Sequence, residues 1–370
     1  MTRTRRTARV AAVVLAAVVL HTGCAPLGSG PASGSEDGGE RTSAVPAIGD
    51  TTPLDDPRSW EGPVDVTLPE ESVGTTTAPR QQLPATVTDV QGTEVTVTDT
   101  SRILALDLSG TLARTVFELG LGDSVVGRDT SSGFPEIADR PLMTQDGHEL
   151  NAEAILGLDP TVLITDTSLG PWDVVLQVRD AGVPVVVVDN ERSLDNLASL
   201  TQQVGDALGV GPAAERLGSR IEADATEAAD AVDAAAPEAA TDRLRTVFLY
   251  LRGRSGVYYM FGEGSGADSL IRAAGGYDVA DEIGWSGMKP LNDEGLVAAQ
   301  PDVVITMTKG LESVDGVEGL LEQFPALART PAGQQRRVVT MSDTQVLGFG
   351  PRTADVVNAL GVALYSPDAL

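Results

Sequence analysis

The segment LNAEAILGLDPTVLIT at residues 150–165 reappears, with substitutions, as LNDEGLVAAQPDVVIT at residues 291–306. The two segments align without a gap, and leucine, asparagine, glutamate, proline, valine, isoleucine and threonine keep their places. In each copy a helix-like stretch runs to a proline, and a short apolar run typical of a buried strand follows. The repetition predicts two similar halves that share one helix-to-strand unit.

Candidate strands and helices alternate on both sides of this repeat. In the first half RILALD, TVLITDT and VVVVDN are candidate buried strands, with TLARTVFELGLGD and WDVVLQVRDAGVP as candidate helices. Such alternation is typical of a parallel sheet with helices on both faces. A helix-compatible stretch from about residue 194 to 236 separates the halves. We therefore expect an α/β fold with two doubly wound lobes joined by a single long helix.

The N-terminus has the features of an export signal. MTRTRRTARV carries four arginines, and the apolar run AAVVLAAVVL that follows is too short to span a bilayer. Cys24 is the only cysteine, and LHTGC resembles the end of a bacterial lipoprotein signal, in which the cysteine becomes lipidated. His21 departs from that pattern, which usually has an aliphatic residue there. A secreted protein with an unmodified cysteine is the alternative.

The stretch that follows Cys24 is rich in Gly, Pro, Ser and acidic residues and lacks apolar periodicity. The expected organisation is a lipoprotein signal peptide at 1–23, a disordered tether at 24–82, an N-terminal α/β lobe at 83–197, a connecting helix at 198–240 and a C-terminal α/β lobe at 241–370.

The net charge of the 370-residue chain is −27. An acidic surface repels phosphate backbones, so nucleic-acid binding is not expected. The length is sufficient for two lobes with cores of their own. A small molecule would bind in the crevice between such lobes, at the ends of the strands.

His148 is one of two histidines, and the other, His21, lies in the predicted signal. It stands two residues before the first repeat segment, as Lys289 does before the second. Both residues are therefore expected in loops that face the crevice. The alternative is an exposed loop histidine without a function.

The strand-like segment RTVFLYLR places Phe248, Tyr250 and Arg252 on one face, because side chains alternate along a strand. The opposite face, with three aliphatic residues, is the natural core face. A guanidinium near a tyrosine favours the phenolate, a hard oxygen ligand suited to ferric iron. The alternative is a tyrosine that packs at the lobe surface beside a solvated arginine.

The signal, the tether, a predicted hairpin near residue 90, the two lobes and the bridging helix together resemble the substrate-binding proteins of ABC importers for siderophores, cobalamin and haem. The resemblance covers residues 84–370. Within that family GHELN, YLRG and GFGPRT (348–353) are similar to actinobacterial haem-binding lipoproteins. This resemblance implies haem b as the transported ligand, His148 and Tyr250 as axial ligands of its iron, and Arg252 as a partner of the tyrosine.

The same resemblance suggests further residues, for each of which ordinary surface solvation or core packing is the alternative. The haem pocket candidates are Met288 against the porphyrin, Lys289 and Arg352 as propionate partners, and Trp285, Tyr258 and Phe349 as flat walls. Tyr258 and Tyr259 alternate along a strand, so at most one of them is expected in the pocket. The candidates for docking to a permease are Glu136 on the first lobe and Glu263 or Asp268 on the second.

The family implies a monomeric receptor, lipid-anchored at the outer face of the cytoplasmic membrane, that receives haem, free or from a haem-donor protein. Its partners would be an ABC permease and its ATPase. A siderophore or cobalamin receptor on the same fold is the main alternative, since such sites need no axial pair. A zinc or manganese site needs several histidines, and a haem enzyme needs a second base, so neither is expected of a mature chain with one histidine.

Overall fold

The computed structural model describes residues 45–69, 72–74, 76–145 and 148–370. The predicted signal peptide, Cys24 and the first part of the predicted tether lie outside the described residues. None of the helices in the part of the chain that is described is long and apolar enough to cross a membrane.

The secondary structure alternates between strands and helices, as the sequence predicts. The strands of the described residues are β1 (Val64–Val66), β2 (Ala85–Thr88), β3 (Glu94–Val97), β4 (Ile103–Leu106), β5 (Thr144–Gln145), β6 (Glu149–Leu150), β7 (Val162–Thr165), β8 (Val185–Val187), β9 (Arg245–Arg252), β10 (Val257–Phe261), β11 (Tyr277–Asp278), β12 (Met288–Pro290), β13 (Val303–Met307) and β14 (Val338–Met341). The α-helices are α1 (Thr111–Glu118), α2 (Ala152–Leu156), α3 (Trp172–Asp180), α4 (Leu197–Ala207), α5 (Gly211–Ala235), α6 (Ala267–Ala273), α7 (Val279–Glu282), α8 (Asp293–Ala299), α9 (Thr308–Glu312), α10 (Gly316–Gln323), α11 (Pro331–Gln334) and α12 (Thr353–Tyr365).

Each half of the chain is built on its own sheet. In the N-terminal half β4, β7 and β8 pair in parallel, and every residue of these strands is buried, as expected for a sheet covered on both faces. In the C-terminal half the order is β1-β14-β13-β9-β10-β12, with β11 also on β9. Strands β10 and β12 run antiparallel to their neighbours, and the others pair in parallel. The predicted α/β fold class is confirmed.

The repeated sequence segments perform the same structural tasks in both halves. Asn151 and Asn292 cap helices α2 and α8, and their side chains accept backbone N–H bonds of 3.0 and 2.7 Å. At the far end of each segment, the hydroxyls of Thr165 and Thr306 donate to a carbonyl of the neighbouring strand, both at 2.8 Å. The repeat therefore preserves the cap that starts the helix and the bond that fixes the strand.

The predicted connecting helix at 198–240 is in fact two helices, α4 and α5. Gly209 separates them with a φ of +69°, and a Cβ there would lie 2.6 Å from the carbonyl oxygen of Gln82. The helices pack so closely that a Cβ on Gly205 would overlap Ala214. Helix α5 alone is the long helix between the halves, about 37 Å at 1.5 Å per residue. The break is local: the N–H of Gly209 donates to the carbonyl of Asp206 at 3.1 Å and that of Val210 to the carbonyl of Gly205 at 2.8 Å, which is a glycine C-cap. The prediction joined the two helices across this cap.

The prediction of a disordered tether over 24–82 is wrong for residues 45–69, which are folded onto the C-terminal half. Strand β1 pairs in parallel with β14 at the edge of the sheet. Ile48 is 1% exposed, and its N–H donates to the side chain of Asn358 at 2.8 Å. The buried guanidinium of Arg337 donates to the carbonyl of Pro57. The apolar residues of this segment are widely spaced along extended chain, so its sequence has no periodicity to reveal its packing.

We predict that Ile48→Ala destabilises the protein by about 2–5 kcal/mol, because it removes a fully buried side chain and leaves a cavity. Urea unfolding of the protein beginning at Val45 would measure the effect. Val90→Ala is the matched control, since Val90 is 53% exposed and its truncation should cost far less. Equal unfolding midpoints for Ile48→Ala and the parent protein would show that the segment contributes nothing to stability.

Three buried carboxylates gather at the carboxyl edge of the N-terminal sheet. Asp107 follows β4, Asp166 follows β7, and Asp129 lies beside them, where its carboxylate accepts the N–H groups of Ser131 and Ser132. Burial, and then the negative charge of Asp107, raise the pKa of Asp129 to about 7. The folded protein therefore retains a proton on Asp129 at pH values where the unfolded chain has lost it.

Arg192 neutralises part of this charge. Its Nη2 lies 3.1 Å from a carboxylate oxygen of Asp107 and 2.6 Å from one of Asp166. Arg192 lies in the loop that leads from the first sheet to α4. Two residues later in this loop, the N–H of Leu194 donates to the hydroxyl of Ser269 in the other half at 3.1 Å. Through Arg192, the carboxylate cluster thus holds the loop by which the chain leaves the first sheet.

Asp129 should make stability depend on pH in a predictable direction. Its stabilising contribution is fully present below about pH 4 and is lost as the pH rises to about 7, because only the folded state holds the proton in that range. We predict that the unfolding free energy of Asp129→Asn, relative to that of the parent protein, rises between pH 4 and 7 by up to about 4 kcal/mol and then levels off. Unfolding by urea at several pH values would measure it. A constant difference would contradict the raised pKa.

Candidate functional site

Tyr250 and Arg252 lie at the carboxyl end of β9, on the face predicted from the sequence. Val247, Leu249 and Leu251 fill the core on the other face. Tyr250 and Arg252 are half-buried, and the Arg252 guanidinium carbon lies 4.4 Å from the centre of the Tyr250 ring. This is the geometry of a cation–π contact. The strand thus presents a tyrosine with an arginine against its ring.

Aromatic side chains of the neighbouring strand surround Tyr250. Its ring stacks on Phe261 at 5.9 Å with an angle of 13° between the planes, and it lies 6.4 Å from the ring of Tyr259. The pairing of Tyr259 opposite Tyr250 places both on the same face of the sheet. None of the described residues hydrogen-bonds the Tyr250 hydroxyl, so its oxygen is available to a ligand.

His148 comes from the other half of the chain, from the turn before β6, and is half-buried. Within the described residues its buried Nδ1 has no hydrogen-bond partner. Burial lowers the pKa of His148 below its usual 6.5, and the positive charge of Arg252 lowers it further, whereas the negative charge of Asp343 acts in the opposite direction. Charges of the second half thus act on a histidine of the first half. The neutral imidazole that results is the form that binds metals.

Asp343 is a residue of this site that the sequence did not single out. It follows β14, and its carboxylate lies 3.2 Å from Nη2 of Arg252. The only available signal was its place after a buried strand, at the same sheet edge as Tyr250. A single aspartate in a chain with 53 acidic residues does not stand out on that basis.

Met288, Lys289 and Trp285 lie around the edge strand β12. Met288 is 56% exposed and stands opposite Phe261, so it lies on the face that holds Tyr250. The ammonium of Lys289 is 5.7 Å from the ring centre of Trp285 and 3.3 Å from the Ser286 hydroxyl. Trp285 itself donates to the carbonyl of Met260 at 2.9 Å and packs against the core of this half. Lys289 stands opposite Met260 and therefore lies on the other face of the sheet from Tyr250, although it is exposed. Of the three residues, Met288 is thus the one that is exposed on the face of Tyr250.

The structure argues against two predicted pocket walls. Tyr258 lies on the opposite face of the sheet from Tyr250 and packs edge-on against Phe324 at 5.0 Å. Of the tyrosine pair it is therefore Tyr259 that accompanies Tyr250. Phe349 is 2% exposed and packs in the main core, so it presents no surface to a ligand. In both cases the side chain is fixed by partners distant in sequence.

Arg352 lines a cavity to which both halves of the chain contribute residues. Thr111 and Ser132 belong to the first half, and Thr344 belongs to the second. Its Nη1 donates to the carbonyl of Pro69 at 2.8 Å, and its Nε lies 3.4 Å from the carboxylate of Asp355. The structure therefore gives Arg352 partners within the protein. Its role toward a ligand stays a prediction.

The three predicted docking acids differ in exposure. Glu263 is exposed, and Glu136 is half-buried, with an oxygen that has no partner among the described residues. Asp268 is buried, bonds Arg272 at 3.0 Å and accepts the N–H of Gly266 at 3.1 Å. Asp268 therefore supports the start of α6, and Glu263 is the better placed of the two candidates on the second half.

Comparison with known proteins identifies the family. The family described as "Periplasmic binding protein" matches residues 107–344. The chain belongs to this family. The resemblance seen in the sequence, and with it the two-lobe arrangement, is confirmed.

Solved structures and curated relatives resemble the chain over most of its length. The haem-binding protein HmuT is 40% identical and covers 84% of this chain and 99% of its own, with a TM-score of 0.80. The apo form of the periplasmic haem-binding protein RhuT from Roseiflexus sp. RS-1 is 39% identical and covers 74% and 100%, with a TM-score of 0.66. Other HmuT structures carry alanine in place of an arginine, a tyrosine or a histidine.

Two curated relatives are each 25% identical. One is the uncharacterised ABC transporter substrate-binding lipoprotein YvrC of Bacillus subtilis (strain 168), matched over 77% of this chain and 86% of its own length. The other is a cobalamin-binding protein of Halobacterium salinarum, matched over 76% and 74%.

We predict that His148 titrates below pH 6.5 and that Arg252→Ala raises its pKa, because the substitution removes a positive charge that disfavours the imidazolium. A protein beginning at Val45 has His148 as its only histidine, so one imidazole NMR signal reports the titration. Arg254→Ala is the matched control, since Arg254 is exposed and is not among the charges that act on His148. An unchanged midpoint in Arg252→Ala would place His148 away from the tyrosine and arginine pair.

Proposed function

We propose that this protein is an extracytoplasmic receptor that captures ferric haem between its two lobes and delivers it to an ABC permease. The observation that carries the proposal is that Arg252, which lies 4.4 Å from the ring centre of Tyr250 on one lobe, acts by its charge on His148, the one histidine of the described residues, on the other lobe. The 40% identity to haem-binding HmuT supports it, as do the three residue types replaced in the HmuT variants.

The proposed axial ligands are His148 and Tyr250. A phenolate is a hard oxygen donor that suits ferric iron, and an imidazole completes a six-coordinate site from the opposite face of the porphyrin. Arg252 lies against the tyrosine ring, where its guanidinium holds the ring in place from the protein side. With the two ligands on different lobes, haem binding depends on the relative position of the lobes.

The residues around the ligands suit a flat, largely apolar group with acidic edges. Tyr259 and Phe261 flank Tyr250, and Met288 offers an exposed thioether on the same face. Lys289 points to the opposite face of β12 from Met288, but it is exposed at the edge of the sheet and stays our candidate partner for a propionate. We assign the wall predicted for Tyr258 to Tyr259 instead.

A cobalamin or siderophore receptor is the second candidate. The cobalamin-binding relative supports it, at lower identity than the haem-binding structures. Such ligands do not require a histidine and a phenol on opposite lobes, so the pairing of His148 with Tyr250 favours haem.

The proposed setting follows the family. The lobes would span 83–197 and 241–370, with the folded segment 45–69 added to the second lobe. Cys24 would carry the lipid that holds the receptor at the outer face of the cytoplasmic membrane. YvrC, a lipoprotein, supports this location. An ABC permease and its ATPase would be the partners, with Glu136 and Glu263 as docking residues on a monomeric receptor. Haem would arrive free or from a donor protein.

We predict that the protein beginning at Val45 binds ferric haem one to one, with an absorption spectrum that differs from that of free haem. His148→Ala and Tyr250→Phe should each change the spectrum and weaken binding by at least roughly tenfold, because each removes a bond to iron. Absorbance titration would measure both effects.

Tyr277→Phe is the matched control, because Tyr277 lies on β11 beside Arg245 and Glu282, at the amino end of β9. It should bind haem as the parent protein does. A spectrum indifferent to both ligand substitutions would remove the haem assignment, and titration with a ferric siderophore and with cobalamin would then test the second candidate.

A further inference from the structure

Asp343 is held from two directions at the carboxyl edge of the second sheet. One carboxylate oxygen lies 3.2 Å from Nη2 of Arg252, and the other accepts the backbone N–H of Lys309 at 3.0 Å. The side chain is 14% exposed. Each oxygen therefore has its own partner, and the carboxylate has little freedom to turn.

Arg252 depends on such a partner for its orientation. An arginine side chain has several rotatable bonds, and fixing it costs conformational entropy. Its other anchor is a bond of 3.0 Å from Nη1 to the carbonyl of Leu251, its own neighbour in the chain. Among the described residues, Asp343 is the one acidic side chain that forms an ion pair with Arg252. The position of the guanidinium against the Tyr250 ring thus depends on Asp343.

We propose that Asp343 is a positioning residue of the ligand site, which holds the guanidinium of Arg252 against Tyr250 and thereby strengthens the bond between the tyrosine oxygen and the iron of the ligand. The proposal rests on the proposed function, since it assigns Asp343 a role at the same site. It makes Asp343, Arg252 and Tyr250 a chain of contacts in which only the tyrosine touches the iron.

The surroundings of Asp343 support this role. It follows β14, Lys309 follows β13 and Arg252 ends β9, and these strands are neighbours in one sheet. The partners are therefore attached to neighbouring strands of one sheet. The charge of Asp343 also acts on His148, the proposed axial ligand from the other half.

The first arm of the test needs no haem. Protons of the Arg252 side chain lie over the Tyr250 ring, so their NMR signals should be shifted upfield by the ring current, and loss of the signals in Arg252→Ala assigns them. In Asp343→Ala the upfield shift should collapse, and in Asp343→Glu, which retains the charge, most of it should remain. Asp293→Ala, at an exposed aspartate of α8, is the matched control. An unchanged shift in Asp343→Ala would overturn the proposal.

The second arm measures haem binding in a double-mutant cycle. Asp343→Ala should weaken binding roughly tenfold and move the charge-transfer band of the tyrosine-bound iron. In the Arg252→Ala background the same substitution should change affinity less than about twofold, because its effect passes through Arg252. Asp343→Glu should restore most of the affinity. Equal losses in both backgrounds would overturn the proposal, since a general structural defect would act in each.

The two arms separate this proposal from the proposed function. If the parent protein binds no haem, the proposed function fails, while the ring-current shifts still decide whether Asp343 positions Arg252. If the parent protein binds haem and Tyr250→Phe changes the haem spectrum, the proposed function stands. If the ring-current shifts of Arg252 are then unchanged in Asp343→Ala, the role of Asp343 is rejected.

Discussion

One face of β9 must be buried, and this requirement fixes the site. The strand lies inside the sheet between β13 and β10, and three aliphatic side chains on one face fill the core. Since side chains alternate, the other face carries Tyr250 and Arg252 to the end of the strand, where the core stops. A shift of one residue would turn Arg252 toward the aliphatic core face of the strand, so core packing enforces the position of the tyrosine.

The site also depends on two sheets that present their carboxyl edges to one crevice. In the second half this edge collects Tyr250, Arg252 and Asp343, and in the first it collects the buried aspartates around Arg192. His148 lies where the charges of Arg252 and Asp343 reach it. A ligand bridging His148 and Tyr250 would depend on the relative position of the halves, which are joined by α5.

Several expectations failed for one shared reason, which is that the deciding contact is remote in sequence. Ile48 is held by Asn358, 310 residues away, so nothing near Ile48 marks it as part of a core. Tyr258 and Tyr259 cannot be distinguished by alternation alone, since alternation separates them without saying which faces Tyr250. The pairing of β10 with β9 makes that choice.

The sequence by itself determined the α/β class, the presence of two similar halves and the face of β9 that carries Tyr250, because these depend on periodicity and on short repeated units. The asparagine that the repeat retains caps a helix, and the threonine that it retains bonds a neighbouring strand. Both positions can be identified from the aligned sequences of the repeat. The sequence also singled out His148 by scarcity. Only the tertiary structure decided that Asp343 holds Arg252, that residues 45–69 belong to the fold and that Asp129 is buried among like charges, because each follows from long-range packing that no local pattern encodes.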